Sequence, residues 1–165
     1  MNFLTSIATT ALIMISGASA EKIQLDVRSE IDELSGAGVF GLHEGPTDYY
    51  LFAVYGKHNS TKLDFDNNTI SVHGSEHTFY LGNSVGELDL TFLTGPLSGY
   101  SFSDDGLLQL NGTSDKFYAC YNSTEDPTYY SDQAGYYQLF YDHIPRDTFC
   151  AKVELVKDDA PSTAA

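Results

Sequence analysis

Apolar and polar positions alternate in short bursts along most of this chain. Ile23, Leu25 and Val27 alternate with Gln24 and Asp26, which predicts a first strand. Ser29 to Leu34 follows with a serine three residues before Asp32, a pattern that starts a helix, yet the run supports one turn only. Gly36 and Gly38 mark a turn. Val39 to Leu42 and Tyr50 to Val54 are two further runs, and the second is apolar on both faces, as in a central buried strand. Leu63 and Phe65, then Ile70 and Val72, flank Asn67-Asn68, residues that tolerate the positive φ of a tight hairpin. Phe79 and Leu81 lead to Leu88, Leu90 and Phe92. Gly95-Pro96 turns the chain, and Tyr100 and Phe102 run into Asp104-Asp105-Gly106, a second hairpin signal, before Leu108 and Leu110. Phe117 to Cys120, Tyr137 to Tyr141 and Cys150 to Leu155 complete the series.

Each burst is rich in aromatic or β-branched residues and is bounded by turn residues. Bursts recur about every ten residues, the spacing of sandwiches and barrels. No amphipathic helical stretch interrupts them. The expectation is therefore an all-β fold of about a dozen short strands. An antiparallel β-sandwich is favoured, with a β-barrel or a trefoil-like fold as the alternative; no threefold or blade-like repeat is visible.

Composition adds a compartment. Residues 1–20 contain no charged side chain, run apolar or small from Phe3 to Ile15, and end in Ala18-Ser19-Ala20, which fits small-x-small cleavage. They read as a signal peptide, since the run is too short to span a bilayer. Residues 21–156 then form a single β domain, and 157–165, small and polar, a disordered tail. No later segment is apolar enough for a membrane span. In an oxidising compartment the only two cysteines, Cys120 and Cys150, are expected to form a disulfide, with two free thiols as the alternative. The net charge of −15 belongs wholly to the part after residue 20. Such a surface repels phosphate backbones and anionic lipid, so no nucleic-acid partner is expected.

Several stretches carry a family resemblance. Asp105-Gly106-Leu107-Leu108, Phe117-Tyr118-Ala119-Cys120, Tyr137-Gln138-Leu139 and Cys150-Ala151-Lys152-Val153-Glu154-Leu155 resemble, in that order, the C-terminal domain of yeast PIR cell-wall mannoproteins. In the first half, Gly36-Ala37-Gly38, His43-Glu44-Gly45 and Tyr49-Tyr50-Leu51-Phe52 resemble the GPI-anchored wall proteins of ascomycete yeasts. The resemblance implies a fungal cell-wall mannoprotein, extracellular, with cell-wall polysaccharide as its partner.

Four triplets match the N-glycosylation acceptor pattern, at Asn59, Asn67, Asn111 and Asn122, each beside a predicted strand end. Tyrosine is abundant and tryptophan absent. In the adjacent pairs Tyr129-Tyr130 and Tyr136-Tyr137 the neighbours face opposite ways on a strand, so one ring of each pair is free for a sugar. Core packing is the competing use of the same rings. A glycoside hydrolase needs two carboxylates across one bond. Glu87 and Asp89 share a face, but alternation with Leu88 and Leu90 puts that face in solvent. Gly82-Asn83-Ser84-Val85-Gly86 has the Gly-x-Ser-x-Gly spacing, but no helical stretch follows it, and a nucleophile elbow needs one. Asp64-x-Asp66-x-Asn68 imitates the start of a calcium loop without its glycine and distal glutamate. His43, His58, His73, His77 and His143 lack zinc spacing. No catalytic residue, metal site or cofactor is expected. The sequence thus points to a secreted, glycosylated, non-catalytic wall protein, then to a carbohydrate-binding module, and last to a hydrolase; it leaves the oligomeric state open.

Overall fold

A computed structural model describes residues 19–43, 47–121, 130, 133–146 and 148–158. The expected signal peptide falls almost wholly outside these residues, as do Asn122, Tyr129 and residues 159–165.

Thirteen antiparallel strands are described, and no helix accompanies them among the described residues. They are β1 (Glu21–Ile23), β2 (Leu25–Arg28), β3 (Gly38–His43), β4 (Asp48–Val54), β5 (Leu63–Asp66), β6 (Thr69–His73) and β7 (Thr78–Ser84). Then come β8 (Glu87–Thr91), β9 (Tyr100–Phe102), β10 (Leu108–Leu110), β11 (Phe117–Tyr121), β12 (Tyr136–Tyr141) and β13 (Phe149–Lys157). The all-β expectation holds, but the sandwich does not. The main sheet closes on itself as a seven-strand ring, β4-β8-β12-β11-β13-β2-β3 and back to β4, which is the barrel alternative. β4 makes the closure. One edge pairs with β3 throughout; the other pairs with β8 at Asp48–Tyr50 and then with β12 at Phe52–Val54. β8 thus wedges into one half of the ring and meets β12 only at Phe140 opposite Glu87. β7, β6, β5 and β1 continue outward from β8 as a flap.

Directly opposed residues share a face. Val39 opposes Ala53, Ala119 opposes both Leu139 and Ala151, Phe117 opposes Tyr141 and Val153, and Val27 opposes Leu155. All are buried, so this face is the interior. Alanines at 53, 119 and 151 beside Leu51, Leu88, Leu90 and Leu139 let a narrow ring fill with side chains, as small barrels do. The hairpin β9–β10 packs over the end where β11 begins and β12 ends. Tyr100, Leu108 and Leu110 join the core there, and the Tyr141 hydroxyl donates to the Leu110 carbonyl at 2.9 Å.

Local chemistry explains the turns. Asn67 and Asn68 take φ of 48° and 62°, the left-handed pair that a two-residue hairpin requires. Asn68 Nδ2 also donates to the Tyr100 carbonyl at 2.8 Å, tying the β5–β6 hairpin to β9. Ser29 to Leu34 folds as hydrogen-bonded turns: Ile31 N–H donates to Ser29 Oγ at 3.1 Å, and the Leu34 and Ser35 amides both donate to the Ile31 carbonyl. The single first strand read from alternation is in fact two. Gln24 lies between β1 and β2, its Nε2 donating to the Ser60 carbonyl at 2.6 Å. β1 pairs with β5 of the flap while β2 pairs with β13 of the ring. β13 extends to Lys157, two residues beyond Leu155.

The expected Cys120–Cys150 disulfide is present, joining directly opposed residues of β11 and β13. Neither cysteine is free. No helix among the described residues is long and apolar enough to cross a membrane.

Candidate functional site

The outer face of the ring is divided. Around β13 and β2 it carries Lys152, Glu154 and Arg28 toward solvent, with the Arg28 guanidinium 3.5 Å from Glu154 Oε2. Around β4, β12 and β8 the same outer face is buried: Phe52, Val54, Gln138, Phe140, Glu87, Asp89 and Thr91 are all covered. Glu87 and Asp89, expected in solvent, are only 7% and 5% exposed. Alternation placed them correctly outside the interior; it could not show that this part of the outer face is covered. Asp89 sits opposite Gly82 and Tyr50. A Cβ on Gly82 would stand 2.9 Å from Asp89 Oδ1, so the carboxylate lies over the glycine. Ser84 Oγ donates weakly to Asp89 Oδ2 at 3.4 Å, and Oδ1 has no partner among the described residues.

Burial pushes the Asp89 carboxyl above its ordinary value, with the nearby Asp48 charge adding to the effect and hydrogen bonds from Ser84 and its own backbone opposing it. Asp26 is raised likewise, by burial and by Asp158, against His58. A raised folded-state value means that the folded chain holds the proton more tightly than the unfolded chain. The contribution to stability is full below the unfolded carboxyl range, near pH 4, and is lost as pH rises through the folded value. Asp89→Asn should therefore raise Tm at pH 7 and leave it unchanged at pH 3; an equal shift at both pH values would show that burial of charge is not the cause. A raised buried carboxyl is also what a general acid requires. However, Asp89 and Glu87 line neither the groove between Arg28–Ile31 and Phe149–Glu154 nor the smaller one among Gly41, Tyr49, Phe79 and Leu90.

The tyrosines divide as strand alternation requires. Tyr137 turns into the barrel, 9% exposed, its hydroxyl donating to Glu33 Oε2 at 3.1 Å. That removes it from the expected sugar contacts, because the interior claims its ring. Tyr136 faces out and stacks on Tyr130, with ring centroids 5.3 Å apart and planes 23° apart. Tyr130 also meets Phe52 edge-on at 6.1 Å. Lys57 Nζ lies 5.8 Å from both the Tyr136 and the Phe40 ring centroids. Gln138 is fully buried on this outer face, opposite Phe52 and Cys120, and neither end of its amide has a partner among the described residues. Tyr130 and Tyr136 are thus the expected contact residues that come together, joined by Phe40, Phe52, Lys57 and Gln138. The last four were not legible beforehand. Only the unusual two-sided apolarity of Tyr50 to Val54 hinted that the outer face of β4 is covered.

The remaining candidates serve the scaffold. Asp64 is nearly buried and pairs with Lys22 Nζ at 2.6 Å, while Asp66 uses its carbonyl to accept from Thr69 Oγ1. The Asp64 carboxylate of the calcium-like triplet is thus held by a lysine ammonium. His73 Nδ1 lies 3.0 Å from Thr78 Oγ1, and His58 Nδ1 lies 3.1 Å from the Gly36 carbonyl oxygen. His77 stacks on Phe92 at 4.5 Å, His43 tilts against Tyr49 at 5.0 Å, and His143 lies 6.0 Å from Phe140. Among the described residues no group of three or more His, Cys, Asp or Glu side chains could hold a metal ion. Of the four acceptor asparagines, Asn59, Asn67 and Asn111 are exposed on turns or loops, and Asn122 lies outside the described residues. Asn68, next to Asn67 in the hairpin, and Asn111 both bond to Gly99: its amide donates to the Asn68 carbonyl, and its carbonyl accepts from the Asn111 amide.

Compared with family models, with curated proteins and with solved structures, the chain matches none.

Proposed function

We propose that this is a secreted, N-glycosylated, non-catalytic surface protein of a fungal cell wall, which acts through the outside of a filled barrel. The observation that carries the reading is the position of the acceptor asparagines. Asn59, Asn67 and Asn111 all project from exposed turns or loops of a disulfide-closed β domain. The barrel interior supports the same reading, because buried apolar side chains line it. Glycans on the tips and a net charge of −15 would hydrate the surface and set how it meets other surfaces. The yeast wall mannoproteins that the sequence resembles supply the location. Extraction of walls from expressing cells, first with detergent, then glucanase, then mild alkali, tests it. The protein should leave the wall in one of these steps; recovery from the medium alone would defeat the wall assignment.

A second reading, a carbohydrate-binding module, rests on the stacked Tyr130–Tyr136 pair beside Lys57. It predicts that the protein is retained on insoluble β-glucan and that Tyr136→Ala weakens retention about tenfold, a typical loss for one stacked ring. Retention that is unchanged in the variant would remove this reading.

A further inference from the structure

β13 has a half-open edge. Its residues Phe149–Val153 pair with β11 on one side. On the other side β2 reaches only Arg28, opposite Glu154, and pairs with β13 no further. The chain then swings away through the turns at Ser29–Ile31. The Cα atoms of Cys120 and Cys150 are 4.1 Å apart, the close spacing of a non-hydrogen-bonded antiparallel pair. Hydrogen bonds to β11 therefore fall to Phe149, Ala151 and Val153. The amides and carbonyls of Cys150 and Lys152 point the other way, toward the side that β2 leaves empty, and no hydrogen bond of theirs on that side is present among the described residues.

These groups open into a groove of about 680 Å³, walled by Phe149–Glu154 and by Arg28–Ile31. Phe149, 59% exposed, offers an apolar shelf at one end. The rim carries Arg28 and Lys152 against Glu30, Asp115 and Glu154. Both cations already face carboxylates, at 3.5 Å for Arg28 with Glu154 and 3.8 Å for Lys152 with Asp115. The excess charge at the rim is thus negative, on a chain of net charge −15. A second copy or an acidic segment would be repelled.

We infer that this groove takes an extended basic peptide segment as an added strand, through the amides and carbonyls of Cys150 and Lys152. The backbone ladder gives affinity, and flanking Lys or Arg side chains reach the rim carboxylates. The inference is independent of the wall assignment.

The test titrates the 15N-labelled glycan-trimmed protein with an acetylated, amidated hexapeptide of sequence KTVTVK. The amide resonances of Cys150 and Lys152 should move, with changes confined to residues 149–154, 28–31 and Asp115. Replacing both peptide lysines by glutamate should weaken binding at least tenfold at low salt. N-methylation at alternate residues gives two further peptides, and only the one methylated on the edge facing β13 should lose binding. Lys152→Pro, read against Lys152→Ala so that the lost rim cation is common to both, removes a donor that β11 does not use. It should keep the native Tm and lose about tenfold in affinity, the scale of one backbone hydrogen bond. The inference is overturned by shifts elsewhere or by none. Equal binding of all the peptides would also overturn it, as would peptide-free shifts that grow with protein concentration, the mark of self-association.

Discussion

Phe117→Ala should lower the free energy of unfolding by about 3–5 kcal/mol, the range for truncating a fully buried phenylalanine. The ring is inaccessible, lies 5.0 Å from the Tyr141 ring, and stands opposite Val153 inside the barrel. Strands that close a ring cannot move inward independently, so the cavity left behind should persist rather than collapse. Phe149→Ala, which removes a mostly exposed ring from the rim of β13, should change stability by less than about 0.5 kcal/mol. Urea denaturation of both variants gives the comparison. Similar losses for the two would mean that the ring encloses no packed core.

The second large effect concerns the one covalent cross-link. The sequence separation between Cys120 and Cys150 is 30 residues. Releasing that loop should cost about 3–4 kcal/mol through the unfolded chain. Cys120→Ala/Cys150→Ala should show it as a lowered urea midpoint with an increased slope, since the unlinked chain exposes more surface when it unfolds. The site makes the effect relevant to closure. β11 lies between β12 and β13 in the ring, and the bond fixes the β11–β13 register while β2 holds only the far half of β13. A loss below about 1 kcal/mol would indicate that the register is set by packing alone, with the native state relaxing on release.

The sequence made most strands legible through alternation and turn residues. Ile70 and Val72, alternating with Ser71 and His73, marked one strand, and Asn67-Asn68 fixed its hairpin because few other residues accept positive φ at both positions. The closing of the sheet was not legible. It depends on β4 sharing one edge between β8 and β12, and periodicity carries no information about edges. The same limit explains the first strand. Ile23 to Val27 alternates without a break, yet Gln24 passes the chain from the flap to the ring through a contact with Ser60. Glu87 and Asp89 show a third limit. Period two separates the faces of a strand but not a covered face from a wet one. At the candidate surface, strand geometry gave one ring of Tyr136-Tyr137 to each face but not which, and Lys57 and Phe40 lie apart from that pair in sequence and had no local signal.

The proposal of an outward-acting, glycosylated barrel has one direct test: intact-mass analysis of the native protein, followed by endoglycosidase treatment. The expected result is a chain that starts at Glu21, carries hexose-rich mass removable from Asn59, Asn67 or Asn111, and has its two cysteines oxidised. A chain that retains residue 1, bears no glycan and titrates with two free thiols would contradict secretion, glycosylation and the cross-linked barrel together.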